Sequence, residues 1–399
     1  MDTLEPEFGS PAARPWPVTH TETVTWTSRG EHRRDRSGPY EATVTPAIAR
    51  VEVALAGDLA DSIAEATAAL RVFDATVDAE YAPLTSVLLR SEAVASSRIE
   101  GLSASARALA EAELGEGARA NASLIVANVA AMEAAVTLSD SLCASSILAM
   151  HAALMIEHPS MAGRWRSEQV WIGGSFFSPH GADYVAPVHS RVPDAIDDLV
   201  AFLARNDLPA VAHAALAHAQ FETIHPFPDG NGRTGRALLA AVLRARGVTR
   251  HVTVPVSSGL LARQAEYFDA LTAYRDGEIA PIISLVAEAA EAAATSGQAL
   301  LSRLNEVREG WGLMIAARPD SAVHRVADML VRQPVVNSAY VADQLGVAQT
   351  IALRHLRRLT DAGVLVETAG KARNRIWRAP DILDVLDDYA AAAGRRPDW

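Results

Sequence analysis

The stretch from His225 to Arg236 reads HPFPDGNGRTGR, and the rest of the chain is interpreted around it. Good helix formers precede it over residues 211–224, and residues 233–246 predict a second helix that Gly247 ends. Two prolines and three glycines lie between or at the start of these helices, so the pattern predicts helix, glycine-rich turn, helix. An anion at this turn would meet free backbone N–H groups at a helix N-terminus.

The polar side chains of this stretch are of the types that handle a nucleotide phosphate. Histidine, with an ordinary pKa of about 6.5, takes up a proton most readily near neutral pH, so His225 is the candidate general base. Asp229 offers the hard oxygen ligands that Mg²⁺ prefers beside substrate phosphates. Arg233 and Arg236 lie three residues apart and share a helical face, where both can pair with phosphate oxygens.

At every fixed position the stretch is similar to the signature of the Fic family, His-x-Phe-x-Asp/Glu-Gly-Asn-Gly-Arg-x-x-Arg. The resemblance implies a mainly α fold, with an all-helical Fic core and a small β-hairpin flap. It implies a protein adenylyltransferase that uses ATP and Mg²⁺ to transfer AMP to a Ser, Thr or Tyr hydroxyl of a target protein, the chain itself included. The residues implied are His225 as base, Asp229 for Mg²⁺, and Gly230, Asn231, Gly232, Arg233 and Arg236 for the nucleotide phosphates.

A second resemblance lies in the predicted helix over residues 84–99. Ser96 and Glu100 are four residues apart and hence on one helical face, so we expect the Ser96 hydroxyl to hold the Glu100 carboxylate. The segment resembles the Fic inhibitory motif, Ser/Thr-x-x-x-Glu-Gly/Asn. The resemblance implies that Glu100 pairs with Arg236 and blocks the ATP γ-phosphate. The alternative is a surface glutamate near a helix end.

Two further site residues come from the same resemblance. Residues 163–193 are rich in β-branched and aromatic side chains and are broken by Gly173-Gly174, which predicts a hairpin. This hairpin is similar to the Fic flap, which aligns a target segment by main-chain pairing, and implies a target contact at Ile172. In the predicted helix over residues 263–275, the resemblance places Tyr267 near the nucleotide base, with a position in the core as the alternative.

The character of the chain changes at about residue 319. The pattern predicts helices over 322–331, 338–345 and 350–362, and strands over 364–367 and 375–378 around a Gly370-Lys371 turn. This order resembles a winged helix-turn-helix module. Between Ser321 and Pro380, nine basic residues against four acidic ones give +5 in a chain of net charge -12. The sign suits DNA as a partner, and docking of another protein is an equal alternative.

Composition bounds the remaining possibilities. The 399 residues are 49% hydrophobic, enough for several cores, and we divide them into a flexible N-terminal segment (1–40), a helical region with the inhibitory helix (41–140), the Fic core (141–308) and the winged helix (319–385). The charge of -12 argues against a general binder of nucleic acid or anionic membranes. The lone Cys143 suits a reducing cytoplasm, and we predict no signal peptide, membrane span or membrane partner.

Other chemistries and functions are weighed against this interpretation. His218, Glu222 and His225 share a helical face and imitate a zinc site, but the His-Glu-x-x-His order is absent and Pro226 ends the helix. A Walker A loop is excluded because the only lysine, Lys371, precedes alanine. Two alternative functions stay open: a Fic enzyme that removes AMP or transfers another phosphate-containing group, and an ATP-sensing DNA-binding transcription regulator. A homodimer is an assembly that the sequence also leaves open.

Overall fold

The computed structural model describes residues 16–28, 30, 36–55, 57–77, 84–117, 119–318, 321–368 and 375–394. Within these ranges the chain is mainly helical, as predicted. The helices are α1 (Asp58–Thr76), α2 (Thr85–Ile99), α3 (Ala106–Glu113), α4 (Ala120–Leu138), α5 (Ala144–Leu154), α6 (Val192–Leu203), α7 (Ala210–Ile224), α8 (Asn231–Ala245), α9 (Val256–Ala262), α10 (Gln264–Arg275), α11 (Ala280–Met314), α12 (Ala322–Arg332), α13 (Ser338–Leu345), α14 (Gln349–Asp361) and α15 (Pro380–Ala392). The strands are β1 (His20–Trp26), β2 (Gly38–Val44), β3 (Trp171–Ile172), β4 (Tyr184–Val185), β5 (Val335–Asn337), β6 (Val366–Glu367) and β7 (Ile376–Arg378).

Strands β1 and β2 correct the prediction of a flexible segment over residues 1–40, in the part that the structure describes. They pair antiparallel along their whole length. Every second residue of β1 is partly buried, which is the period of a strand with one covered face. The ring of Trp26 meets the edge of Trp171 at a centroid distance of 5.4 Å, so the hairpin packs onto the predicted flap. This alternation is present in the sequence, where irregular Pro and Gly neighbours obscure it.

Helix α7 is the central helix of the core. Every residue from Val211 to Ile224 is buried, and the helix contacts α1, α6, α8, α10 and α11. The many alanines of α7 let its neighbours come close on every side, and buried polar residues such as His213 and Gln220 have hydrogen-bond partners in the core. Because α7 is packed on all sides, the position at which it ends is rigidly determined, and that position is His225.

Helix α4 and the short 3-10 turn after it, Ala120–Ser141, form the one described segment with the length and composition of a membrane span. The mean hydropathy of its most apolar window is 1.6, and 44% of that window is buried in the structure. The helix packs against α2, α3, α5 and α8, and the polar residues Asn121, Ser123 and Glu133 interrupt its sequence. These contacts are those of a helix in a protein core.

Helices α12–α15 and strands β5–β7 form what we call the C-terminal unit. Its sheet is antiparallel in the order β5-β7-β6. The predicted helices and both predicted strands are present, and the Gly370-Lys371 turn lies outside the described residues. Strand β5 and helix α15 were not predicted, although Pro380 at the first helical position and the regularly spaced apolar residues after it are a helix signal.

The C-terminal unit packs on α2 and α3. Arg90 of α2 donates a hydrogen bond to the carbonyl of Arg332 at 2.5 Å, and Arg98 donates to the carbonyl of Ala390. These carbonyls lie in the last turns of α12 and α15, where helices leave carbonyl groups unpaired and attract positive charge. Two guanidinium groups of one helix therefore cap two helices of the unit.

Candidate active site

The backbone at His225 places the candidate base. His225 follows the last residue of α7 with φ of 50°, the one positive φ of a non-glycine residue in the described ranges. Its N–H donates to the carbonyl of Phe221 at 2.9 Å, and its carbonyl accepts from Nε of Arg166 at 2.8 Å. A left-handed conformation at a residue other than glycine persists where its surroundings hold it, and it is concentrated at functional sites.

The imidazole of His225 is suited to accept a proton. Its Nδ1 lies 3.3 Å from the backbone carbonyl of Glu222, so a proton on Nδ1 is donated there and the lone pair is on Nε2. Burial lowers the pKa of His225 to about 4, although the Glu222 carbonyl raises it. The ring is therefore neutral at pH 7, and its side chain is still 16% exposed, which leaves access for a second reactant.

Arg233 marks an anion site. Its Nε and Nη1 are buried and have no hydrogen-bond partner among the described residues, while Nη2 lies 3.5 Å from a carboxylate oxygen of Asp229. Buried donors without acceptors are costly and rare, so this guanidinium indicates a ligand with several acceptor oxygens. The adjacent N-terminus of α8 has no side-chain cap. Phosphate groups would satisfy both.

Glu100 lies at this anion site. Its Oε1 accepts a hydrogen bond from Nη2 of Arg236 at 2.8 Å, so the predicted contact is present. A Cβ atom at Gly232 would lie 2.1 Å from the same oxygen, so the carboxylate lies directly against the first turn of α8 and a side chain at Gly232 would displace it. Burial raises the pKa of Glu100, but the Arg236 guanidinium outweighs this effect and holds that pKa below its ordinary value.

Ser96 does not hold the carboxylate of Glu100, and this prediction is wrong. Its Oγ accepts from Nε of Arg236 at 2.9 Å, and its backbone carbonyl accepts from Nη2 at 2.8 Å. Glu100 caps the end of α2 and is outside the helix, so the four-residue spacing does not bring the two side chains together. The charged guanidinium of Arg236 is also a stronger hydrogen-bond partner for Ser96 and for Glu100 than they are for each other.

Asn231 holds the loop together rather than contacting a nucleotide with its side chain. Its Oδ1 accepts from the N–H of Phe227 at 2.8 Å, and its Nδ2 donates to the Phe227 carbonyl at 2.9 Å. The residue is 3% exposed, so its side chain shapes the loop, and the phosphate contact implied for Asn231 stays a prediction that its backbone N–H can supply. Gly230 has φ of 78°, and a Cβ there would lie 2.8 Å from Cδ2 of Leu154. Glycine is needed at this close approach.

Asp229 has the features expected of a magnesium ligand. Its side chain is 64% exposed, and its Oδ1 accepts from the N–H of Gly230 at 2.7 Å. Such a single, exposed carboxylate fits Mg²⁺, which takes one or two carboxylates and completes its shell with water and phosphate. No group of three or more His, Cys, Asp or Glu side chains in the described ranges is placed to hold a metal, so the zinc alternative has no support.

Of the two remaining predicted site residues, Ile172 is exposed and Tyr267 is buried. Strands β3 and β4 pair antiparallel and confirm the hairpin, on which Ile172 is 44% exposed. Tyr267 is 1% exposed, and its hydroxyl lies 2.7 Å from Nε2 of His218. A buried ring cannot contact a nucleotide base, so that prediction is wrong and the alternative of a core position is correct. The next residue, Phe268, is 48% exposed.

Sequence reasoning missed two residues that hold the loop. The ring of His151 stacks on Phe227 with a centroid distance of 3.6 Å, and its Nε2 lies 3.1 Å from the carbonyl of Asp229. Arg166 is 3% exposed and donates to the carbonyls of His225 and Pro187, which ties the loop to the end of the flap. Their partners lie far away along the chain, so no local pattern could have indicated them.

Comparison with known proteins agrees with this geometry. Residues 141–243 match the Fic/DOC family. This part of the chain is therefore similar to a Fic domain, and we refer to it as the Fic domain. It is 32% identical over 154 residues to protein adenylyltransferase fic-1 of Caenorhabditis elegans and 32% identical over 158 residues to protein adenylyltransferase Fic of Nematostella vectensis. Each match covers 38% of this chain, but only 28% of the first relative and 33% of the second, so the chain spans about a third of their length.

The fold beyond the Fic domain also has a known counterpart. The crystal structure of a Fic family protein from Desulfovibrio desulfuricans G20 covers 82% of this chain and 97% of its own, with a TM-score of 0.50 and 19% sequence identity. At that identity the likeness concerns the fold alone. The chain is therefore a mainly helical protein built on a Fic fold.

Proposed function

We propose that the protein is an adenylyltransferase that transfers AMP from ATP to a hydroxyl group of a target protein. The observation that carries the proposal is a neutral base, His225, on the same short loop as an anion site in which buried nitrogens of Arg233 lack partners. Relatives of the Fic domain that are named protein adenylyltransferases support the same reaction.

In this reaction a Ser, Thr or Tyr hydroxyl loses its proton to Nε2 of His225 while its oxygen attacks the α-phosphorus of ATP. The bond from that phosphorus to the bridging oxygen breaks, and pyrophosphate leaves. Arg233 and Arg236 would hold the β- and γ-phosphates. Backbone N–H groups at Gly232 and its neighbours, at the start of α8, would offset the charge that develops on the phosphate oxygens.

Asp229 would hold Mg²⁺ together with phosphate oxygens, and the bound ion would neutralise part of the phosphate charge. Glu100 would inhibit the enzyme, because its carboxylate contacts the guanidinium of Arg236 that a phosphate needs. The edge of the flap at Ile172 would pair with an extended segment of the target protein.

We also propose that the C-terminal unit is a winged helix and that DNA is its partner. The support is the exposed face of α14, which includes Arg354 and Arg357. Binding of duplex DNA should weaken steeply as salt rises, because each phosphate contact releases counterions. Fluorescence anisotropy with the wild type and the double variant Arg354→Ala/Arg357→Ala measures this. Unchanged binding by the double variant would place the DNA on another face, and no binding by the wild type would favour protein docking.

The test of the enzyme uses ATP labelled at the α- or the γ-phosphate. We expect the Glu100→Gly variant to transfer label to protein from the α-position alone, and the Glu100→Gly/His225→Ala variant to transfer none. Circular dichroism should show that the double variant keeps its fold. Label from the γ-position would indicate a different phosphate transfer. Retained α-label in the histidine variant would remove His225 as the base.

A further inference from the structure

Glu222 lies beside the base, and the proposed mechanism does not use it. It is 6% exposed, and its Oε2 lies 4.0 Å from Nδ1 of His225. Its other oxygen, Oε1, is buried and has no hydrogen-bond partner among the described residues. A buried carboxyl group with an unpaired oxygen is costly, so its position next to a reactive imidazole needs a reason other than stability.

The space for this carboxyl group is provided by Gly235 in the middle of α8. A Cβ at Gly235 would lie 2.3 Å from Oε1 of Glu222 and 3.0 Å from Cδ1 of Phe221. Glycine weakens a helix interior relative to alanine, and here any side chain would displace the carboxyl group. Helix α7 therefore buries an unpaired carboxyl oxygen, and helix α8 has a glycine in its interior, and both features reduce stability.

The charges around Glu222 leave its ionisation open near neutral pH. Burial raises the pKa of Glu222 to about 7, while Arg236 and Arg275 lower it and Glu100 raises it. The titratable and charged groups that face it are His218 on α7, His225 directly after α7, Arg236 on α8, Tyr267 and Arg275 on α10, Tyr184 on β4, and Glu100 after α2.

We propose that Glu222 is a positioning residue for the base: as the carboxylate, it offsets the positive charge of the imidazolium formed when His225 takes the target's proton. The inference rests on the proposed AMP transfer. The proton moves from the target hydroxyl to Nε2, the proton on Nδ1 stays between the ring and the Glu222 carbonyl, and the carboxylate nearby stabilises the charged ring. Ionised Glu222 thereby makes His225 a stronger base.

The test uses the Glu100→Gly protein as the parent and adds Glu222→Gln, Glu222→Asp or, as a control, Glu65→Gln on the exposed side of α1. At saturating ATP, we expect the rate of the parent to rise with pH around a midpoint below the wild-type value of about 7, because the parent lacks the Glu100 charge that raises the pKa of Glu222. The Glu65→Gln control should give the same profile as the parent. At high pH, the rate of the Glu222→Gln variant should be about tenfold to hundredfold below that of the parent. Its rate should no longer rise with pH, and its KM for ATP should stay within about twofold of the parent value. The Glu222→Asp variant should recover part of the rate and part of its rise with pH.

A second readout does not depend on transfer. The ring carbon signal of His225, identified by its loss in His225→Ala, should shift with a midpoint near pH 7 in the wild type as Glu222 ionises, and this step should vanish in Glu222→Gln. The proposal would be overturned if Glu222→Gln left both the pH profile of the rate and the titration of the His225 ring unchanged. It would also be overturned if Glu222→Gln lowered the rate by the same factor at every pH. If the parent transfers no AMP, the proposed function fails, and the ring titration still decides whether Glu222 faces the base.

Discussion

The two sides of helix α2 hold arginines in different ways. On the side of the Fic domain, Ser96 and the adjoining Glu100 surround the guanidinium of Arg236, so that a charge meets an opposite charge. On the side of the C-terminal unit, Arg90 and Arg98 of α2 itself donate to backbone carbonyls at helix ends. The contacts on the first side are made by particular side chains, which can compete with a ligand for Arg236. The contacts on the second side need only the free carbonyl groups of a helix terminus. We therefore expect the first side to control activity and the second to control docking.

The largest effect is expected from removing the carboxylate on the active-site side. A charge-assisted hydrogen bond of about 1.5–3 kcal/mol corresponds to roughly tenfold to hundredfold in rate, so Glu100→Gly should raise AMP transfer by that factor. Initial rates with α-labelled ATP measure it, with Glu100→Gly/His225→Ala as the inactive control. An unchanged rate would show that the contact with Arg236 does not limit activity.

A pH dependence should come from Glu92, which anchors the same helix to α9. It is 1% exposed and its Oε2 accepts from the N–H of Ser257 at 2.8 Å. Burial raises the pKa of Glu92 from 4.5 to about 7, outweighing Ser257 and Arg236, so the folded state keeps a proton that the unfolded state loses between these values. The stability from this proton is complete below pH 4.5 and falls as pH rises to about 7.

Glu92→Gln removes this dependence. Between about pH 5 and 8, the free energy of unfolding of the wild type should fall by on the order of 1–3 kcal/mol relative to the variant. Urea denaturation at several pH values measures the difference, to which Glu222 contributes equally in both proteins. Parallel curves would mean that Glu92 is ionised throughout.

A smaller loss is expected at Ser96. Ser96→Ala leaves Nε of the buried Arg236 without its acceptor, which should lower the free energy of unfolding by about 1–2 kcal/mol. Ser91→Ala, a partly exposed serine of the same helix, is the matched control. Equal stability of the two variants would indicate that another acceptor replaces the hydroxyl.

The smallest effect on activity is expected from the opposite side. Arg98→Ala removes the donor to the carbonyl of Ala390 and should cost about 1 kcal/mol in docking, seen as faster amide exchange in α15. AMP transfer should change less than about twofold, because the contacts of Ser96 and Glu100 with Arg236 remain. A rise as large as that of Glu100→Gly would show that the two sides of α2 are coupled.

Local sequence was enough to place the central loop and the residues that its own spacing brings together. Prolines and glycines end α7 and begin α8, so His225, Asp229, Arg233 and Arg236 fall on one loop and one helical turn whatever surrounds them. Helices α12, α13 and α14 of the C-terminal unit were equally readable, because apolar periodicity and caps act over a few residues.

Only the tertiary structure decided which atoms of these residues are free. Asn231 uses its whole side chain on Phe227, Tyr267 is buried against His218, and Ser96 bonds to Arg236 from 140 residues away. Whether a polar atom faces a ligand or a neighbour depends on burial and on segments that meet only after folding, and no local period encodes that. For the same reason, the sequence marked Glu222 only as a false zinc ligand, while packing against Gly235 places its carboxyl group beside the base.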